Sequence, residues 1–149
     1  MQVLVDADAC PRSVLAILQE LAPKYCFSLL TISSFHHQID HAHHLVADDG
    51  PDAADWLILR HLQRGDIVIT QDWGLASLVL ARGGRAISPY GREYRGETID
   101  FLLEERYLQA KHRRRGGRTR GPAPRSPEDD VRFRDRFIAL LTGEVEREE

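Results

Sequence analysis

The stretch that decides the fold is Val3-Leu4-Val5-Asp6-Ala7-Asp8-Ala9-Cys10-Pro11. A short apolar run ends abruptly in two aspartates and then in a proline suited to the first position of a helix. The pattern reads as a buried strand, Gln2–Asp6, that leaves a sheet and turns into a helix. A second apolar run, Ile67-Val68-Ile69-Thr70-Gln71-Asp72, ends in the same way. When such strands run parallel, their carboxyl ends lie on one edge of the sheet. Asp6, Asp8 and Asp72 are then expected to meet there.

Strand and helix signals alternate between and beyond these runs. Cys10 is expected to cap the first helix, and Val14, Leu15, Leu18, Leu21 and Ala22 recur at helical spacing. Strands are expected at 27–32, 45–47, 67–70 and 85–88. Asp52 is a suitable cap for a helix that reaches about Arg64 and is stopped by Gly65. Asp72 caps a further helix that Gly83-Gly84 ends. A loop follows over 89–96, then a helix over 99–109. Ser126-Pro127-Glu128-Asp129 has the cap, proline and acidic first turn of one more helix. Phe133, Phe137, Leu140 and Leu141 give it one apolar face, which packs either back on the domain or on a second copy in a homodimer. The alternation predicts an α/β domain with a mostly parallel sheet covered on both faces.

The 149 residues suit a single domain. No stretch approaches the ~20 apolar residues of a membrane span, and the first apolar run is too short for a secretory signal. Two cysteines, Cys10 and Cys26, make no disulfide framework. A cytoplasmic, non-membrane protein is the expectation. Charge is uneven. Residues 1–110 carry 9 Lys/Arg against 15 Asp/Glu, and residues 111–149 carry 11 against 8. Arg113, Arg114, Arg115, Arg118 and Arg120 concentrate the positive charge in a Gly-broken linker, which suggests contact with a polyanion or a solvated loop.

Asp55 shares a helix face with Ile58, Leu59 and Leu62. A carboxylate on a packed face is costly without a partner, and the chain has only two lysines, Lys24 and Lys111. A divalent cation would serve. Oxygen-only ligands favour Mg²⁺ or Mn²⁺ over zinc, and the expected chemistry is metal-assisted phosphodiester hydrolysis. Asp6, Asp8, Asp55 and Asp72 are the candidate metal-holding and catalytic residues. Asp52 is a further candidate ligand. Singly, Asp52, Asp55 and Asp72 also suit helix N-termini. Cys10 could be a nucleophile at a helix N-terminus, but neighbouring Asp6 and Asp8 oppose its ionisation, so a structural role is expected. His36, His37, His41, His43 and His44 match no standard zinc spacing and read as an exposed loop, with His43 a candidate strand residue.

The motifs Val5-Asp6-Ala7-Asp8-Ala9-Cys10-Pro11, Asp52-Ala53-Ala54-Asp55, Ile69-Thr70-Gln71-Asp72 and Ser88-Pro89-Tyr90-Gly91-Arg92-Glu93-Tyr94 resemble those of the YaiI/YqxD family, with Gly121-Pro122 near the tail. The resemblance covers nearly the whole chain. It implies a PIN-like, three-layer α/β/α sandwich over 1–110, followed by a basic linker and a C-terminal amphipathic helix over 111–149. It also implies a Mg²⁺/Mn²⁺-dependent nuclease centred on Asp6, Asp55 and Asp72, with RNA preferred to DNA as the substrate. Where relatives commonly carry Arg, this chain has Tyr90, and Arg92 is the candidate replacement for a phosphate contact. Two other readings stand beside this one. Asp-x-Asp after a first strand also opens haloacid-dehalogenase-type phosphatases, although the lysine and acidic pair expected downstream fit poorly. The third is a non-catalytic, nucleic-acid-binding or regulatory module.

Overall fold

Among the described residues six strands form: β1 at Gln2–Asp6, β2 at Ser28–Ser33, β3 at His44–Val46, β4 at Ile67–Ile69, β5 at Arg85–Ile87 and β6 at Glu93–Tyr94. The computed structural model describes residues 1–34, 39, 41–50, 52–96 and 124–143. The sheet order is β3-β2-β1-β4-β5-β6. β1 pairs in parallel with β2 and with β4, β2 with β3, and β4 with β5, while β6 returns antiparallel to β5. The register sets Leu4 opposite Val68 and Val5 opposite Ile69, so β1 and β4 end together.

The continuous apolar runs are explained by layers on both sides of the sheet. Among the described residues four helices supply them: α1 at Arg12–Tyr25, α2 at Ala53–His61, α3 at Trp73–Ala81 and α4 at Pro127–Thr142. Val3, Val5, Ile67, Ile69 and Ile87 pack with Val14, Leu18 and Leu21 of α1 and with Phe133 and Phe137 of α4. Leu4, Val68 and Ala86, alternate residues of the same strands, pack with Ile58 and Leu59 of α2 and Leu75, Ala76 and Val79 of α3. This is a three-layer α/β/α sandwich, and the period-two alternation of each strand divides its two cores.

The C-terminal helix joins this core. Phe133 and Phe137 are fully buried. Their rings stack at 5.7 Å, and Phe27 meets Phe137 edge-on at 5.7 Å. At the start of α4, Asp129 Oδ2 accepts from the Ser126 N–H at 2.9 Å, the reciprocal arm of a capping box. Arg134 forks onto Glu20 of α1 at 2.9 and 3.2 Å. Arg85 Nη1 donates to the Leu140 carbonyl at 2.8 Å, adding to the Gly143 N–H that this carbonyl accepts near the end of α4.

Several expectations need correction. Cys10 does not cap α1; Pro11 does, and its carbonyl accepts from the N–H groups of Val14 and Leu15. A turn of 3-10 helix, Ala7–Ala9, lies between β1 and α1. Helix α2 stops at His61 because Leu62 is already extended, so Gly65 does not end it. The expected loop 89–96 contains β6. β3 opens at His44 and leaves His43 outside it. The helix expected over 99–109, the Gly121-Pro122 match, His36 and His37 lie outside the described residues. No helix among the described residues is long and apolar enough to cross a membrane.

Candidate functional site

The strand order reverses between β1 and β4, since β2 flanks β1 on one side and β4 on the other. Open parallel sheets bind ligands in the crevice at that point, beyond the carboxyl ends of the strands. Asp6 closes β1 and Thr70 directly follows β4. Thr70 is 1 % exposed; its hydroxyl donates to Asp6 Oδ2 at 2.8 Å and accepts from the Asp72 N–H at 3.0 Å. One hydroxyl thus links the two strand-end acids. Asp72 caps α3, its Oδ1 accepting from Gly74 N–H at 2.8 Å and Leu75 N–H at 3.3 Å. Asp8 sits in the 3-10 turn, and both its oxygens lie 3.0 Å from the Ser34 N–H just after β2. Gln71 Nε2 donates to the Ala9 carbonyl at 2.8 Å and ties this turn to the β4–α3 connection. Asp55 lies in the first turn of α2.

These acids feel one another. Burial, followed by the charges of Asp72, Asp6, Asp52 and Asp8, pushes the Asp55 carboxyl from 3.8 up to about 6. Burial also raises Asp6; the Thr70 hydroxyl offsets part of that, and Asp8 and Asp72 add to it. No described Lys or Arg forms an ion pair with Asp6, Asp52, Asp55 or Asp72. Among the described residues, no three His, Cys, Asp or Glu side chains stand close enough together to hold a metal ion as they are. The cluster is an open gathering of like charges, distributed over β1, the 3-10 turn, α2 and the start of α3.

The outlying candidates divide. Asp52 occupies the cap position of α2, but its backbone is left-handed (φ 60) and its side chain makes no capping bond. It is exposed and stands at the rim of the cluster. Arg92 lies in the turn between β5 and β6, where the Ser88 hydroxyl accepts from the N–H groups of Tyr90 and Arg92 at 3.2 and 3.1 Å. Its side chain is exposed, and burial raises the nearby Tyr94 phenol to about 12, with the charge of Arg92 lowering it and that of Asp72 raising it. Arg113, Arg114, Arg115, Arg118 and Arg120 lie outside the described residues. Burial pushes the Cys10 thiol up to about 12, against a nucleophilic role. His41 and His44 are not loose loop residues. His41 Nε2 sits 2.8 Å from the Leu29 carbonyl, and His44 lies between the Thr31 and Ser33 hydroxyls at 2.7 and 2.9 Å. Lys111, the downstream lysine of the haloacid-dehalogenase reading, lies outside the described residues, and Lys24 is in the last turn of α1, the end remote from the strand-end acids.

The family model described as "Uncharacterized BCR, YaiI/YqxD family" matches residues 4–143. The chain belongs to the YaiI/YqxD family. A UPF0178 protein of Heliobacterium modesticaldum is 43 % identical over 141 residues, covering 95 % of this chain and 97 % of the relative. UPF0178 proteins of Oceanobacillus iheyensis and Exiguobacterium sibiricum are each 40 % identical, covering 95 % and 98 % of this chain and 99 % and 100 % of theirs. No solved structure matches the chain.

Within this YaiI/YqxD chain, sequence reasoning missed the residues that hold the acids in place. Thr70 is the chief of them, with Tyr94, whose hydroxyl donates to the Thr70 carbonyl at 3.1 Å. A hydroxyl residue just after an apolar run and two before an acid is the one signal that could have found Thr70. The Ser34 N–H that fixes Asp8 is a backbone group and leaves no trace in residue type.

Proposed function

We propose that this YaiI/YqxD protein is a metal-dependent phosphodiesterase that cleaves RNA, with Mg²⁺ or Mn²⁺ held by Asp6, Asp8, Asp55 and Asp72. One observation carries the reading: acids from four separate elements gather at the carboxyl edge beside β1 and β4, where burial first and their charges second push Asp55 up to about 6. Like charges so placed call for a cation. The donors are all carboxylate oxygens, which suit a hard ion. Mg²⁺ keeps several of its waters and binds through one or two carboxylates; an open cluster agrees with that habit better than with a closed cage. When bound, the ion would activate a water and offset charge on the phosphate oxygens.

The chain's own residues supply position. Thr70 holds Asp6 and Asp72 in register, the Ser34 N–H holds Asp8, and the first turn of α3 holds Asp72. Asp55 accepts no hydrogen bond from a described residue, which leaves it free to turn toward a ligand or to take a proton. Arg92 at the rim supports a phosphate contact. The test is cleavage of an end-labelled oligoribonucleotide with Mn²⁺. Wild type is expected to cut it, and Asp6→Asn and Asp72→Asn to slow cutting by about 100-fold. No cleavage, or cleavage untouched by either substitution, overturns the proposal.

A further inference from the structure

Both tryptophans of the chain directly follow an acid of the cluster, as Asp55-Trp56 and Asp72-Trp73. Trp73 is half-buried against the α2/α3 core, whereas Trp56 is 60 % exposed. Packing does not account for Trp56: α2 enters the core through Ile58 and Leu59, and Trp56 belongs to neither buried cluster. On the outer side, Asp52, Trp56 and Arg60 follow one another at four-residue spacing, about 6 Å of rise per step. Arg64 follows the helix after the chain has turned extended at Leu62, and it lies beside the end of α3, where its Cγ is 3.0 Å from the place a Cβ on Gly83 would take. Arg82 joins from α3, its Nη1 reaching the Leu59 carbonyl at 3.5 Å. Arg60, Arg64 and Arg82 are exposed, and none forms an ion pair with a described residue. Exposed arginines with no ion pair to a described residue, beside an exposed indole on an otherwise acidic body, combine backbone neutralisation with a stacking platform.

We propose that Trp56, Arg60, Arg64 and Arg82 form the track for an unpaired RNA strand, with a base stacked on Trp56 beside the acid cluster and phosphates running down the arginines. The inference rests on the phosphodiesterase reading and narrows its substrate to single strands. A base can lie on the indole only if it is free of its own neighbours, and in a duplex the bases are hidden.

The test is fluorescence anisotropy of a short labelled oligouridylate in EDTA, so that binding is read apart from turnover. Trp56→Ala is expected to weaken binding about tenfold and Trp56→Phe to keep most of it. Arg60→Ala with Arg64→Ala should flatten the log–log salt slope by about 1.4. All four positions are exposed, and a thermal melt confirms that each variant folds. No strand binding, wild-type affinity in Trp56→Ala, or equal affinity for a duplex overturns the track. If the expected binding pattern appears without Mn²⁺-dependent cleavage, the track stands and the phosphodiesterase reading falls. If cleavage occurs while Trp56→Ala alters neither affinity nor KM, the track alone falls.

Discussion

Asp55 ionises near 3.8 as an ordinary aspartate and at about 6 in the fold, chiefly through burial and then through Asp72 and Asp6. The folded state therefore holds this proton more tightly than the unfolded chain. The stability it contributes is complete below 3.8 and is lost as pH rises through about 6. At neutral pH in chelator, Asp55→Asn is expected to melt higher than wild type, by about 1 kcal/mol after allowance for its partial exposure to solvent. The gap should close below the ordinary aspartate range, and also on adding Mn²⁺, which offsets the same repulsion in wild type. Wild type melting above the variant at neutral pH in chelator would contradict this. The acids themselves were legible in sequence: Asp6 and Asp72 end apolar runs, and Asp55 stands on an apolar helix face. Thr70 was not, because its role depends on a partner 64 residues away. The left-handed backbone of Asp52 was equally hidden, since residue type favours a cap that its φ of 60 does not deliver.

Among the elements, α4 shows how a remote segment completes the sandwich. Phe137 is fully buried and touches both Phe27 and Phe133. Phe137→Ala should cost about 3–5 kcal/mol, read as a fall in the denaturant midpoint at unchanged slope. A loss below about 1 kcal/mol would mean that α4 is not part of the cooperative core. This helix was legible because cap, proline, acidic turn and apolar stripe all agree. The strands β1 and β4 were legible because they are buried on both faces and read as unbroken apolar runs. β6 was not. Two residues carry no periodicity, and Glu93–Tyr94 becomes a strand only because the Ser88 hydroxyl folds the preceding turn and Tyr94 reaches the Thr70 carbonyl. β3 was displaced by one residue because His44 is drawn into the sheet edge by two hydroxyls of β2.

At the scale of the whole molecule, topology brings the acids together. The reversal of strand order beside β1 sets the ends of β1 and β4 against each other, and α2 and α3 on the same face bring Asp55 and Asp72 to that edge. Parallel pairing could be anticipated from strand–helix alternation, and with it the meeting of Asp6 and Asp72. The separation of the carboxylates could not, because it depends on side-chain placement at the ends of four elements. A bound cation, as proposed above, would draw them inward. Isothermal titration calorimetry with Mn²⁺ tests this most directly. Saturable binding to wild type that is lost in Asp6→Asn and in Asp72→Asn is the predicted result. No binding to wild type, or binding that survives both substitutions, would contradict it.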